Sequence, residues 1–301
     1  APQPVGFYDS MGTTYGVAVL GSYAYLADHM EGLRVIDIST PTLPVEVGFY
    51  DTPGYALDVA VSGANAYVAD FSAGLRVVSI ANPLSPLEIA CYEPLIQAEG
   101  VAVSGSYAFI ADGYRGLRVA SILDPANPIM VGSYNTPGYS YGVAVSGIYA
   151  FVADKSAGLR IIDISNPASP TEIGYFDTPG YSYDVAVSGS YAYVADFDAG
   201  LRIVNISDPA HPAQVGFYDT PGYSESVVVL GNYAYIADNE AGLRVVNISD
   251  PETPVEVGFY DTSGVAFDVA VSGSYAYVAD FDAGLRVVDI SDPANPLEVG
   301  S

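Results

Sequence analysis

A strict 42-residue period predicts an all-β chain, a seven-bladed β-propeller of four-stranded antiparallel blades spanning residues 1–301 as one domain. Three observations carry this. A Gly-Leu-Arg triplet begins at Gly32, Gly74, Gly116, Gly158, Gly200, Gly242 and Gly284, always 42 residues apart. Each unit divides into four short apolar runs punctuated by Gly, Pro and Asp, and no stretch has the period of an amphipathic helix. The runs are almost continuously apolar, as strands buried on both faces must be.

The unit over 43–83 shows the elements in order. Residues 44–51 (PVEVGFYD) read as a strand, and Thr52-Pro53-Gly54 as a turn. Asp58–Ser62 is the next strand, and Gly63-Ala64 suits a type II′ hairpin, whose first central residue needs positive φ. Residues 65–70 and 75–80 are two further strands around the Phe71–Gly74 turn, and Asn82-Pro83 stops the last one, because proline cannot donate to a ladder. Val5-Gly6-Phe7-Tyr8-Asp9 repeats Val47-Gly48-Phe49-Tyr50-Asp51, and Val299-Gly300 matches Val5-Gly6 seven periods on. The N-terminal segment is therefore expected to complete the last blade and close the ring, leaving no free edge. An open solenoid is the weaker alternative, since it needs capping repeats.

Composition narrows the partners. The chain carries 35 acidic and 9 basic residues, a net charge of −26, which repels nucleic acid and anionic lipid. No apolar run is long enough to span a bilayer, so membrane insertion is not expected. The single cysteine, Cys91, excludes an intrachain disulfide and is expected to be a buried, inert thiol.

The strands Leu33-Arg-Val-Ile-Asp37, Leu159-Arg-Ile-Ile-Asp163 and Leu285-Arg-Val-Val-Asp289 resemble the LVIVD-repeat family over essentially the whole chain. Tyr-Val-Ala-Asp at 67–70, 193–196 and 277–280 is similar to the related YVTN propellers of surface-layer proteins. The resemblance implies a secreted or cell-surface propeller and no shared catalytic residues. The final motif position departs from Asp at Ser79, Ser121, Asn205 and Asn247, so that side chain is not expected to be chemically essential.

Seven of the basic residues are the repeat arginines Arg34, Arg76, Arg118, Arg160, Arg202, Arg244 and Arg286. Each follows by six residues an aspartate of an Ala-Asp pair: Asp28, Asp70, Asp112, Asp154, Asp196, Asp238 and Asp280. They are expected to form structural Arg–Asp pairs that stitch blade interfaces, since a buried arginine must be paired. If Asp58–Ser62 and its equivalents are innermost, one face gathers two sets of loops. It would display Tyr55, Tyr139, Tyr181, Tyr223, Phe71, Tyr114, Phe197 and Phe281 as candidate ligand-binding residues for a protein or polysaccharide partner. Asp58, Asp184, Asp268, Glu99 and Glu225 lie near the start of the innermost strand and could converge on the channel as oxygen ligands. Calcium is the one cofactor they suggest; no other is expected. Departures from the internal consensus gather on the same face, at 91–99, His29-Met30-Glu31, Tyr114-Arg115 and Lys155.

The function expected is a non-catalytic binding or structural scaffold at the cell surface or outside the cell, alone or as a module of a larger surface protein or assembly. Catalysis is poorly provided for, because His29 and His211 fall on opposite faces and cannot share a metal or a triad. Two alternatives stay open: a carbohydrate-active enzyme using carboxylates such as Glu99 and Asp58, and a calcium-dependent component of a surface array.

Overall fold

The computed structural model describes residues 6–10, 12–93 and 95–298. They form seven antiparallel sheets and no helix. The innermost strands are Gly16–Leu20, Asp58–Ser62, Gly100–Ser104, Gly142–Ser146, Asp184–Ser188, Ser226–Leu230 and Asp268–Ser272, which define blades one to seven. In the second blade the order outward is Asp58–Ser62, Asn65–Ala69, Leu75–Ser79, Leu87–Tyr92. The innermost strands neighbour one another around the ring, as the sequence predicts.

Two turns explain why the glycines recur. Gly63 adopts φ 58 while Ala64 stays out of the left-handed region, the type II′ geometry. Gly74 adopts φ 83, and a Cβ there would lie 2.2 Å from the Tyr92 carbonyl oxygen, so no other residue fits before Leu75.

The core lies between blades. Tyr25, Ala27, Leu33 and Val35 of the first blade pack on Ala56, Val59, Ala66 and Val68 of the second. The opposite faces of the first blade's strands, Ala24, Leu26 and Ile36, pack on Tyr277, Ala279, Leu285 and Val287 of the seventh. Each sheet is thus a wedge buried on both sides, which is why its strands do not alternate with polar residues. Truncating Leu75, which has no exposed surface, to Ala would cost roughly 2–5 kcal/mol.

The seventh blade closes the ring with an outer strand in two pieces. Leu297–Glu298 pairs with Asp289 and Val288, and Phe7–Tyr8 pairs with Arg286 and Leu285. In the six other blades the outer pair carries a bulge, between Val77 and Val78 for example. In the seventh the break falls at that same level, where the Val287 amide donates to the Gly6 carbonyl at 3.0 Å. Val5, Val299 and Gly300, which also entered the closure expectation, lie outside the described residues.

Cys91 corrects an expectation. It is exposed on the outermost strand of the second blade, opposite Arg76, where other blades place Phe49, Tyr175 or Phe217. An apolar residue type suggested burial, but the outward face of an outer strand meets water.

Candidate functional site

The loops entering each blade and those between its second and third strands meet on one face, around the mouth of the axis. They are joined by a repeated backbone bridge. Phe71 and Ala98 exchange amide–carbonyl bonds of 3.1 Å, and the same bridge recurs at His29–Ala56, Gly113–Ser140, Lys155–Ser182, Phe197–Ser224 and Asn239–Ala266. The first residue of each pair is left-handed, with φ 47 at His29 and Phe71, 45 at Lys155 and 46 at Phe197. L-residues adopt this conformation at a cost, and such strain persists only where surrounding bonds over-determine it. Here it sets one variable position per blade at the mouth, a side chain everywhere except at Gly113.

The electrostatics of the rim follow from the sequence repeat. Arg76 Nε lies 3.5 Å from Asp70 Oδ2, and the corresponding distances are 3.4 Å for Arg118–Asp112, 3.9 Å for Arg202–Asp196, 3.8 Å for Arg244–Asp238 and 3.3 Å for Arg286–Asp280. Arg34 and Arg160 act on Asp28 and Asp154 at longer range, each drawing the carboxyl pKa down against burial, which raises it. These contacts lie within one blade. The link between blades is made by the two residues after the outer strand. Asp51 takes the guanidinium of Arg34 in the blade it leaves, at 3.0 Å, and Thr52 donates at 2.6 Å to Asp70 in the blade it enters. Asp177, Asp219 and Asp261 hold Arg160, Arg202 and Arg244 in the same way. At ring closure Asp9 holds Arg286 and Ser10 donates to Asp28. Arg34, Arg160, Arg202, Arg244 and Arg286 also lie over outer-strand rings, Arg34 4.7 Å from the Phe49 centroid and Arg160 4.6 Å from Tyr175.

Inside the rim lies a chamber with about 100 Å³ of open space. Its upper ring is the residue preceding each innermost strand: Tyr15, Leu57, Glu99, Tyr141, Tyr183, Glu225 and Phe267. One step down sit Asp58, Asp184, Ser226 and Asp268, with Gly16, Gly100 and Gly142 between them. The three aspartates lie deep in the molecule yet keep some surface open to the chamber. Each accepts a backbone amide from the following blade: Asp58 from Val101 at 2.8 Å, Asp184 from Val227 at 3.0 Å, Asp268 from Val17 at 2.7 Å. The Ser226 hydroxyl lies 2.6 Å from Asp268 and 3.0 Å from Asp184, its single hydrogen serving one carboxylate at a time.

Burial, reinforced by the charge of Asp268, pushes Asp58 up to about 7. Burial also lifts Asp268 to about 6, with a contribution from Asp184, and raises Asp184 itself. Glu225 rises to about 7 through burial, against the Asn239 hydrogen bond and the Lys155 charge, which lower it. Glu99 is raised by burial and accepts a short hydrogen bond from the Tyr139 hydroxyl.

Aromatic rings form two arcs. One runs from Phe281 and Phe267 through Tyr15 and His29 to Tyr55 and Phe71, with His29 stacked on Tyr55 at 4.4 Å. The other runs from Tyr114 through Tyr139, Tyr141, Tyr183 and Phe197 to Tyr223, whose ring stacks on Phe197 at 4.4 Å. Glu99 and Glu225 sit at the two gaps. Within the second arc the Lys155 ammonium lies 4.7 Å from the Tyr139 and Tyr141 centroids and 5.0 Å from Tyr183.

All eight predicted aromatics therefore belong to this face. Tyr114 is the most open at 76% exposed, Tyr55, Tyr181 and Tyr223 are also exposed, and Tyr139, Phe71, Phe197 and Phe281 are half-buried. The five predicted carboxylates all line the chamber. Their oxygens are spread around the ring and engaged by amides, Ser226, Tyr139 and Asn239, and among the described residues no three acidic, His or Cys side chains are arranged to hold a metal ion. His211 lies apart from this face, exposed and bonded to Asp208 at 2.9 Å. Sequence reasoning did not pick out Tyr15, Tyr141, Tyr183 and Phe267. The 42-residue column that contains Glu99 and Glu225 would have found them.

Fold and mouth together define a closed seven-bladed propeller with an aromatic, acidic axial chamber. The chain belongs to the LVIVD repeat family: that family's model matches seven times, at residues 11–52, 53–93, 97–136, 137–178, 179–220, 221–262 and 263–301. No curated protein matches it. Among solved structures it is similar to a functionally unknown protein from Desulfotomaculum acetoxidans DSM 771, with TM-score 0.78 and 15% identity over 93% of this chain and 95% of that one. It also resembles the computationally designed Ika8 protein, with TM-score 0.71 and 10% identity over 96% and 87%. BamB from Moraxella catarrhalis gives TM-score 0.62 and 14% identity over 93% and 84%. At these identities the likeness concerns the fold alone.

Proposed function

We propose that this propeller is a non-catalytic scaffold, working at the cell surface or outside the cell, that captures a protein or polysaccharide on its aromatic, acidic face. The observation that carries the reading is the exposure of Tyr55, Tyr181, Tyr223 and Tyr114 around one mouth, beside a rigid chamber. Apolar ring faces next to carboxylates suit both sugar faces and the aromatic or basic side chains that anchor protein interfaces. Rigid bridges under each loop limit the ordering entropy that binding must overcome. Asp58, Asp184 and Asp268 hold blades together through backbone amides, and Glu99 and Glu225 are engaged by Tyr139 and Asn239, structural tasks that account for their burial without assigning them turnover.

The test is capture of glycans and surface proteins by the wild type and by a Tyr181→Ala/Tyr223→Ala variant, with thermal melting as the control. Both tyrosines are about half exposed, so melting should move little while capture falls at least tenfold. Unchanged capture would remove this face from the reading. Turnover of a glycan that disappears in Glu99→Gln would replace it with a carbohydrate-active enzyme.

A further inference from the structure

Given a ligand-binding rim as above, we propose that the axial chamber is a receptor site for an alkylammonium group, and that Lys155 stands at its mouth as a tethered internal substitute. The sequence contains a single lysine, and its ammonium lies within about 5 Å of three tyrosine ring centroids. That is the geometry of an aromatic cage for a cation. The position is not one that lysine favours. Its φ is 45, and the equivalent places in the third and sixth blades carry Gly113 and Asn239, residues that tolerate a left-handed backbone.

Charge and space extend the inference beyond Lys155 itself. Five carboxylates, Glu99, Glu225, Asp58, Asp184 and Asp268, line the chamber, and the Lys155 ammonium at its mouth acts on two of them, Glu99 and Glu225. The open volume of about 100 Å³ is several times the roughly 10–15 Å³ that a single water needs, enough for a compact organic head. Glu99 and Glu225 are nine-tenths buried, and each spends one carboxylate oxygen, Oε1, on Tyr139 or Asn239. Carboxylates separated by ring faces suit an alkylammonium, whose N–H groups can reach carboxylate oxygens while its charge and alkyl stem lie against the rings. A hard metal ion needs six to eight oxygens together, and no such group is present among the described residues.

The ammonium could belong to a free amine or to a lysine side chain of a partner, so the experiment carries both arms. Calorimetric titrations would use n-butylammonium, neutral n-butanol, a lysine-containing peptide and its Nε-acetylated form. The proteins would be the wild type, Lys155→Asn, and Lys155→Asn combined with Glu225→Gln. Lys155→Asn copies the residue of the sixth blade, and Lys155→Gly copies the third should the first variant melt early. The expected result is n-butylammonium binding at least tenfold tighter to Lys155→Asn than to the wild type, loss of that gain with Glu225→Gln, and no binding of n-butanol. Preference for the unacetylated peptide over n-butylammonium assigns the site to a protein side chain, and the reverse order to a free amine. No tightening in either Lys155 variant, or n-butanol binding as well as the amine, overturns the proposal. If that happens while Tyr181 and Tyr223 are still required for capture, the rim reading stands and only the ammonium assignment falls.

Discussion

At the scale of single residues, one aspartate per blade ties three segments together. Asp70 has no exposed surface and accepts from the Thr52 hydroxyl and, at 2.9 Å, from the Gly54 amide, while facing Arg76. Removing the buried carboxylate strands the Thr52 hydroxyl and the Gly54 amide and takes the charge away from the buried Arg76 Nε, although Glu93 still holds the far end of that guanidinium at 2.7 Å. Asp70→Ala should therefore cost about 3 kcal/mol in urea unfolding, with most of that loss absent when Asp70→Ala is made in a Thr52→Ala, Arg76→Met background. Additive losses would show that the three act independently. The left-handed residues make the opposite case. Phe197 pays for φ 46 but stacks on Tyr223 at 4.4 Å and on Tyr183 at 4.9 Å. Glycine there relieves the strain, loses the ring pairs, and gains unfolded-chain entropy, each worth about 1 kcal/mol. Phe197→Gly should lower stability by only about 2 kcal/mol in the same assay. A large loss would mean that the ring is chiefly a packing element and not a displayed side chain.

At the scale of elements, closure depends on two short strand pieces. Deleting residues 1–10 would remove the Gly6 carbonyl from Val287, the Phe7 ring from Arg286, the Asp9 carboxylate from Arg286, and Ser10 from Asp28. It would also bare the edge of Leu285–Asp289. Such a chain is expected to melt well below the parent and to associate on concentration, both measurable by scattering during a thermal ramp; parent-like melting would assign closure to Leu297–Glu298. The strand spans, the innermost position of Asp58–Ser62 and the clasp were legible because each rests on a period repeated seven times. The Asp51-Thr52 stitch was not, because its partners Arg34 and Asp70 lie 17 and 18 residues away in opposite directions, and sequence drew attention to the Arg–Asp spacing of six. Cys91 was misjudged for a related reason: residue type carries burial only when the face of the strand is known. The grouping of aromatics into two arcs with Glu99 and Glu225 at the gaps needed the ring itself, since those residues come from different blades.

At the scale of the whole molecule, a net charge of −26 and a buried acidic axis act in the same direction with pH. Asp58, Asp268 and Glu225 hold their protons to about 7, 6 and 7, above ordinary values of 3.8 for aspartate and 4.5 for glutamate. A folded state that binds protons more tightly than the unfolded chain loses stability as they leave. Their contribution is fully present below pH 4 and gone once the pH has risen past about 7. The carboxyls of Asp37, Asp163 and Asp208 are shifted down by hydrogen bonds, from Ser39, Ser165 and His211 respectively, so they cost stability only at pH values more acidic than this window. Urea unfolding should therefore show greater stability at pH 5 than at pH 8, by on the order of 2 kcal/mol once the full shifts are discounted for water in the chamber. Surface repulsion predicts the same sign, but salt separates the two. About 0.5 M NaCl screens exposed charges and leaves buried ones largely unscreened. The slope that survives salt should shrink in Glu225→Gln, which keeps an acceptor for Asn239 and cannot ionise. A slope abolished by salt would place the pH response on the outer surface, and a surviving slope unchanged by that substitution would take Glu225 out of it and leave the response to the other buried carboxylates, Asp58 and Asp268 among them.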